Sequence, residues 1–393
     1  MKPLKKFVLV SAFAGAALAW APAQAADPIK IGVILPYAPP FTIYAKSLET
    51  SMKMALEENG GKVAGRTVEL IFENDGNKPP EAIAKARKLI NSDKVDVLIG
   101  GLSSNLAIPI AAVGSRAKTP TIIINGGADM LTGKRCSPWV VRVSFSNDQI
   151  VRDSGAWILK QGYKTAYLMS ADYVGGRNIM SSFKKAYTKA GGKIVGEGYA
   201  PFSTKDFGPY LAKAKAAKPD TIYVFFPGGM GIQFVIQYDK FGLKGQIPLT
   251  GTAWTVSPLF VNRQGKSAIG FKGPINYVPG LDNPANKKFS AAFKAKTGRD
   301  VDEVTINGYD AINMLFLAFK KLDGKTSDKK AIIQALGSVS YDGPRGPLKI
   351  DPKTHNIIQN IYMVEVVETD GKPDYKVLET IENVQDAPNG CKL

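Results

Sequence analysis

Ser103-Ser104 and Asn125-Gly126-Gly127 offer hydroxyls and amides but no acid–base or metal-ligating chemistry. Ser104 suits the cap of its own helix. Equipment for catalysis is scarce. The single histidine, His355, lies in a turn with Pro352 and Lys353, so no Ser-His-Asp or Cys-His pair and no histidine-based metal site can be assembled. It is expected at the surface. Gly324-Lys325-Thr326 has the ending of a P-loop, but Phe319 stands where that loop needs glycine. Gly229-Met230-Gly231 runs on to Phe234 where a dinucleotide fingerprint needs its third glycine. Hydrolysis by carboxylates alone leaves no signature and is the one enzymatic alternative. The expectation is a binder with no catalytic residues, no cofactor and no metal.

Aromatic residues crowd the same loops: Tyr37, Phe41, Tyr44, Phe145, Tyr173, Phe226 and Trp254. Rings around a cleft offer stacking worth about 0.5–1.5 kcal/mol per pair beyond area burial. Phe145 and Phe226 equally suit an ordinary core, whereas Tyr173 and Trp254 sit in loops.

The elements that must position these groups occur twice. Ile29–Leu35 reads as a strand, and Leu48, Met52, Ala55 and Leu56 mark a helix that ends at Gly60-Gly61-Lys62. Strand 68–72, a helix opening at Pro79-Pro80 and strand 95–99 complete a βαβαβ unit, which implies a parallel sheet. The order recurs as strand 165–169, helix 181–190, Gly191-Gly192-Lys193, strand 193–197, helix 207–217 and strand 221–226. The two Gly-Gly-Lys turns lie 131 residues apart. Two similar α/β lobes follow. In open parallel sheets ligands sit beyond the carboxyl ends of the strands, so loops 36–44, 100–105, 125–129, 171–176, 227–231 and 251–254 should face one another across a cleft.

Composition and ends bound the setting. Lys2, Lys5 and Lys6, an apolar run from Phe7 to Trp20 and Ala23-Gln24-Ala25 read as a cleavable export signal, with the mature chain starting at Ala26. The run is shorter than the roughly 20 residues that span a bilayer. Lipid anchoring would need a cysteine at the cleavage point, and the first is Cys136. The remaining 368 residues exceed the roughly 250–300 at which one core stops growing. Removing three leader lysines lowers the net charge from +17 to +14. The surplus is interspersed with acids and favours an anionic solute or a solvated basic surface, and export argues against nucleic acid. Cys136 and Cys391 are read as one disulfide tying the tail, residues 386–393, to the body, with two free thiols as the alternative.

Several stretches resemble the leucine/isoleucine/valine-binding branch of the type I periplasmic binding proteins of ABC transporters over essentially the whole mature chain. They are Ile29-Lys30-Ile31-Gly32-Val33, Asn74-Asp75, Val97-Leu98-Ile99-Gly100-Gly101 followed by Ser103-Ser104, and Ala171-Asp172-Tyr173 with Gly175-Gly176. The resemblance implies an α/β fold of two doubly wound lobes joined by three crossings and closing by hinge motion. Lobe one is expected at 27–146 with 278–345, and lobe two at 147–277 with 346–385. It implies that Ser103, Ser104, Asn125, Gly126 and Gly127 hold a solute carboxylate. It implies an ABC permease as partner and a monomer. Amino-acid binders of this branch place an acid for the ammonium group in the loop that here reads Gly251-Thr252-Ala253-Trp254-Thr255, which has none. Asp172 or Asp129 remains available for that role. Aromatic-acid carriers of the family are similar at Thr132–Cys136 and at Cys391-Lys392. The expected solute is therefore benzoate-like, held also by Phe41, Tyr44, Tyr173 and Trp254. Arg177 is the first choice for a carboxylate partner ahead of Arg142 and Arg152. An amino acid, or a sensory role on a receptor, is the alternative.

Overall fold

The apolar run at Ile29–Leu35 (β1) is buried along almost its whole length, as a strand covered on both faces must be. In the computed structural model, which describes residues 27–393, it lies inside a six-stranded sheet. Its other strands are β2 (Lys62–Val63), β3 (Arg66–Asn74), β4 (Val97–Gly100), β5 (Thr121–Ile123) and β6 (Val140–Arg142). The order is β2-β3-β1-β4-β5-β6, parallel except where β2 meets β3. Helices α1 (Thr42–Glu58), α2 (Pro79–Asn91) and α3 (Ser104–Arg116) make the crossovers. Helix α2 opens on two prolines with Glu81 in its first turn and Lys88 in its last, which suits its dipole.

The second half repeats the plan. Strands β7 (Thr165–Ala171), β8 (Lys193–Ala200), β9 (Thr221–Phe225), β10 (Leu249–Gly251) and β11 (Lys272–Ile275) run parallel in the order β11-β10-β9-β7-β8. Short helices α4 (Asn147–Val151) and α5 (Ser154–Lys160) precede them, and α6 (Val174–Lys189), α7 (Gly208–Ala216), α8 (Gly228–Lys240) and α9 (Val261–Gln264) connect them. The chain then returns to the first sheet as α10 (Pro284–Thr297), α11 (Thr305–Lys321) and α12 (Lys329–Gly337), with α11 against α1. It ends on antiparallel strands β12 (Ser340–Gly343), β13 (Gly346–Ile350), β14 (Ile357–Thr369) and β15 (Lys372–Val384), which extend the second sheet to nine strands. That antiparallel extension was absent from the repeat read in the sequence.

Helix α6 starts at Val174, seven residues before the expected Ser181. Gly175 and Gly176 read as a loop, but they form the first turn, pressed against the end of β7. A Cβ on Gly176 would lie 2.2 Å from the carbonyl oxygen of Ala171. His355 is half-buried rather than at the surface, with Nδ1 3.2 Å from the Val140 carbonyl, and burial pulls its pKa down. Cys136 and Cys391 are joined in a disulfide that closes a 255-residue separation. The expected leader, 1–25, lies outside the described residues. Among them no helix is long and apolar enough to cross a membrane.

Two fully buried arginines knit the crossings. Arg345 donates to Asp310 of α11 at 2.6 Å, to the carbonyls of Val143 and Ser144 in the first crossing and to Gln359 of β14. Arg142 donates to Asn356, to the Ala128 carbonyl, to Thr132 and to Asp386. Neither lines a cleft. Each fastens segments from both halves of the fold.

Candidate ligand-binding cleft

The loops that leave the carboxyl ends of the parallel strands in the two sheets meet around one cavity. The volume open to the centre of a water molecule is about 60 Å³, several times the roughly 10–15 Å³ that one water needs. Tyr44, Phe145 and Trp254 on its walls are all buried.

From the first sheet, the β4–α3 loop brings Leu102, Ser103 and Ser104. Ser103 stands at the N-cap of α3 with extended backbone, yet its side chain makes no capping hydrogen bond. Its hydroxyl, 8% exposed for the residue as a whole, is left to the cavity beside the first N–H groups of a 13-residue helix. The plain capping role considered for Ser104 is displaced by one residue, since Ser104 is the first helical position. After β5 come Asn125, Gly126 and Gly127. The Asn125 amide donates to the Leu102 carbonyl at 2.8 Å and accepts from Asn307, so this side chain braces the serine loop. The glycines are required by close approach: a Cβ on Gly126 would lie 2.5 Å from that of Ala107, and one on Gly127 2.2 Å from Oδ1 of Asn147.

The walls are aromatic. Phe41 and Tyr44 come from the start of α1, Phe145 from the first crossing, Tyr173 from the β7–α6 turn, Phe225 from the end of β9, and Trp254 from the short 3-10 turn after β10. Trp254 packs on Phe145 with ring centroids 4.4 Å apart, meets Phe225 edge-on at 5.7 Å and donates Nε1–H to Asn276 at 3.0 Å. Phe202, beyond β8 and 39% exposed, touches Tyr173 at 5.1 Å and Phe41 at 6.3 Å. It bridges rings from opposite halves of the molecule.

Four expectations are revised by this geometry. Phe226 is not a wall residue: it is fully buried between Phe207 and Phe234, at 5.1 and 4.6 Å, and Phe225 takes the cleft position. Tyr37 turns aside to donate to Glu49 at 2.6 Å. Arg177 lies outside the cavity, held by Asp172 at 2.6 Å and stacked over Tyr199, with its side chain more than half exposed. Arg142 and Arg152 are likewise absent from the lining: Arg142 is spent in the crossings, and Arg152 faces Asp148 and the Gln385 carbonyl.

Asn147, Ile179, Phe225, Glu303 and Val304 line the cavity without having been read from the sequence, and one of them is an acid. Glu303, in the loop before α11, is 1% exposed and faces the cavity. Its Oε2 accepts from the Ser257 hydroxyl at 2.7 Å, which links the two halves. Burial, and then the neighbouring Asp302, push its pKa well above the ordinary carboxyl range. Asp302 accepts from the N–H groups of Val304 and Thr305 and from the Thr305 hydroxyl. Burial raises Asp302 as well, but its three donors and the nearby Arg299 guanidinium offset this, so Glu303 is the member of the pair pushed more strongly toward its neutral form. The other acids considered are spent elsewhere: Asp129 accepts from Asn178 at 2.6 Å and Ser182 at 3.0 Å, and Asp172 pairs with Arg177. Among the described residues no group of three or more His, Cys, Asp or Glu is placed to hold a metal ion.

Comparison with known proteins agrees with this architecture. The periplasmic binding protein family profile matches residues 28–372. The Leu/Ile/Val-binding protein homolog 6 of Brucella melitensis is 28% identical over 97% of this chain and 98% of its own. A solute binding protein of an ABC transporter from Rhodopseudomonas palustris BisB5, solved in complex with 3,4-dihydroxy benzoic acid, is 33% identical with a TM-score of 0.87, covering 91% of this chain and 98% of that one. Another from R. palustris, solved with benzoate, is 32% identical with a TM-score of 0.86, covering 93% and 100%. Two α/β lobes, a cavity between their strand ends and a family match along most of the length lead to one assignment: the chain is a solute-binding component of an ABC transporter and belongs to the type I periplasmic binding protein family.

Proposed function

We propose that this protein captures a small aromatic carboxylate of the benzoate or hydroxybenzoate class and presents it to a membrane permease, without transforming it. One observation carries the reading: a helix N-terminus with an unspent cap hydroxyl at Ser103 opens into a cavity walled by Phe41, Tyr44, Phe145, Tyr173, Phe225 and Trp254. The helix end and hydroxyl suit a carboxylate, and the rings suit an aromatic body. The aromatic acids bound by similar solved structures support the same class. Ser104, Gly126 and Gly127 would complete the anion cradle, with Asn125 as its brace. Closure would bring lobe one, 27–146 with 278–345, onto lobe two, 147–277 with 346–385, about the Arg142 and Arg345 crossings. Export through the leader, release into the periplasm and a monomeric state complete the proposal.

Glu303 favours a second reading. An α-amino acid needs an anion for its ammonium group, and this carboxyl would supply one once ionised. A thermal-shift panel separates the two, because a ligand selective for the folded state raises the midpoint. Hydroxybenzoates or benzoate should raise it by several degrees and leucine should not. A rise with leucine alone would overturn the proposal.

A further inference from the structure

Glu303 has no role in holding a carboxylate, yet among the described residues it is the one carboxylic acid in the cavity lining. Its surroundings decide what it offers. Ser257 Oγ accepts from the Leu259 N–H at 3.2 Å and passes its own hydrogen to Glu303 Oε2 at 2.7 Å. In a neutral acid the oxygen that accepts is the carbonyl oxygen, so the proton sits on Oε1. Its own backbone N–H also approaches the carboxyl, and among the described residues no other side chain donates to it. The groups facing it are Tyr44 from α1, Asp302 from its own loop and Tyr375 from β15, and no cation appears among the causes of its shift.

We propose that Glu303 is a specificity-determining residue that reads a hydroxyl substituent on the ring of the solute, donating a hydrogen bond from Oε1–H into the cavity. The inference rests on the aromatic-acid reading and deepens it. A solute with a ring hydroxyl satisfies this buried donor, whereas an unsubstituted ring leaves it unpaired, so hydroxylated acids bind more tightly than benzoate. A second negative charge on the ring would meet Asp302 nearby and be rejected.

The test is calorimetric titration of wild type, Glu303→Gln and Glu303→Leu with benzoate, 3-hydroxybenzoate and 4-hydroxybenzoate. Glutamine keeps a donor and an acceptor, so its preference for the better hydroxy acid should stay within about threefold of wild type. Leucine keeps the volume without the polar atoms. It should weaken that hydroxy acid about tenfold or more and benzoate by less than about threefold. Equal weakening of all three acids by the leucine variant, or none, overturns the role of Glu303 while leaving the aromatic-acid reading standing. Wild type that binds leucine and none of the three overturns both. Should the leucine variant fail to fold, Glu303→Ala replaces it: selective weakening of the hydroxy acid supports the role, and equal weakening of all three acids, or none, overturns it.

Discussion

The crossings and the cleft are both interior, both polar and both built from segments of the two halves, but the arginines of the one and the cavity-facing groups of the other are used in opposite ways. Ser144 Oγ and Asp310 Oδ1 in the crossings do lack a partner among the described residues. In the crossings, Arg345 spends its guanidinium on a carboxylate, two backbone carbonyls and an amide, and Arg142 is used as fully. In the cleft, the Ser103 hydroxyl caps nothing and the second oxygen of Glu303 finds no other side-chain donor. Buried polar groups that are satisfied fix a geometry; buried polar groups left open beside a cavity are prepared for a partner. The same kind of chemistry thus makes what we propose to be a pivot in one place and a receptor in the other.

Breaking the pivot should have the largest effect. Arg345→Met strands Asp310 and several carbonyls in the interior, and a loss of about 3–5 kcal/mol is expected in urea unfolding. Solute affinity of the protein that remains folded should change by less than about threefold. The cleft should respond the other way round. Ser103→Ala should weaken a carboxylate ligand about tenfold by titration. Because no cap bond is lost, its unfolding free energy should fall by less than about 0.5 kcal/mol, against the ~1 kcal/mol usual for a helix cap. A large stability loss in Ser103→Ala, or a large affinity loss in Arg345→Met, would erase the contrast.

The smallest effect concerns pH and sharpens the account of the pivot. Burial pushes the Asp310 carboxyl up to about 6 even beside Arg345, and its Oδ1 has no hydrogen-bond partner. The folded state therefore holds a proton that the unfolded chain releases near pH 4. The resulting stability is complete below about pH 4 and is lost as pH rises through about 6. Wild type should lose about 1 kcal/mol more than Asp310→Asn between pH 5 and pH 7. An identical pH dependence in the two would show that Asp310 is ionised throughout.

Most of the frame was legible because parallel strands buried on both faces are continuous apolar runs, and because the unit Gly-Gly-Lys, strand, helix, strand occurs twice. The cleft loops followed from strand ends alone, which is why Ser103, Ser104, Gly126, Tyr173 and Trp254 line the cavity. Phe226 was misplaced by one residue, and in a strand one residue reverses the face. Arg177 was chosen for its charge, and nothing in its position announced the Asp172 partner five residues earlier. Glu303 was missed for a different reason. It sits in a loop outside the repeated unit, before a helix that returns from the other half, and only the tertiary fold carries it to the cavity. Its signal was weak but present: an Asp-Glu pair just ahead of an apolar helix, where Asp302 accepts from the Val304 and Thr305 N–H groups.

A crystal structure of the complex with 4-hydroxybenzoate tests the central claim most directly. The carboxylate should lie at the N-terminus of α3, within hydrogen-bonding distance of the Ser103 hydroxyl, with the ring between Tyr173 and Trp254. An empty cleft, or a carboxylate held anywhere other than that helix end, would contradict it.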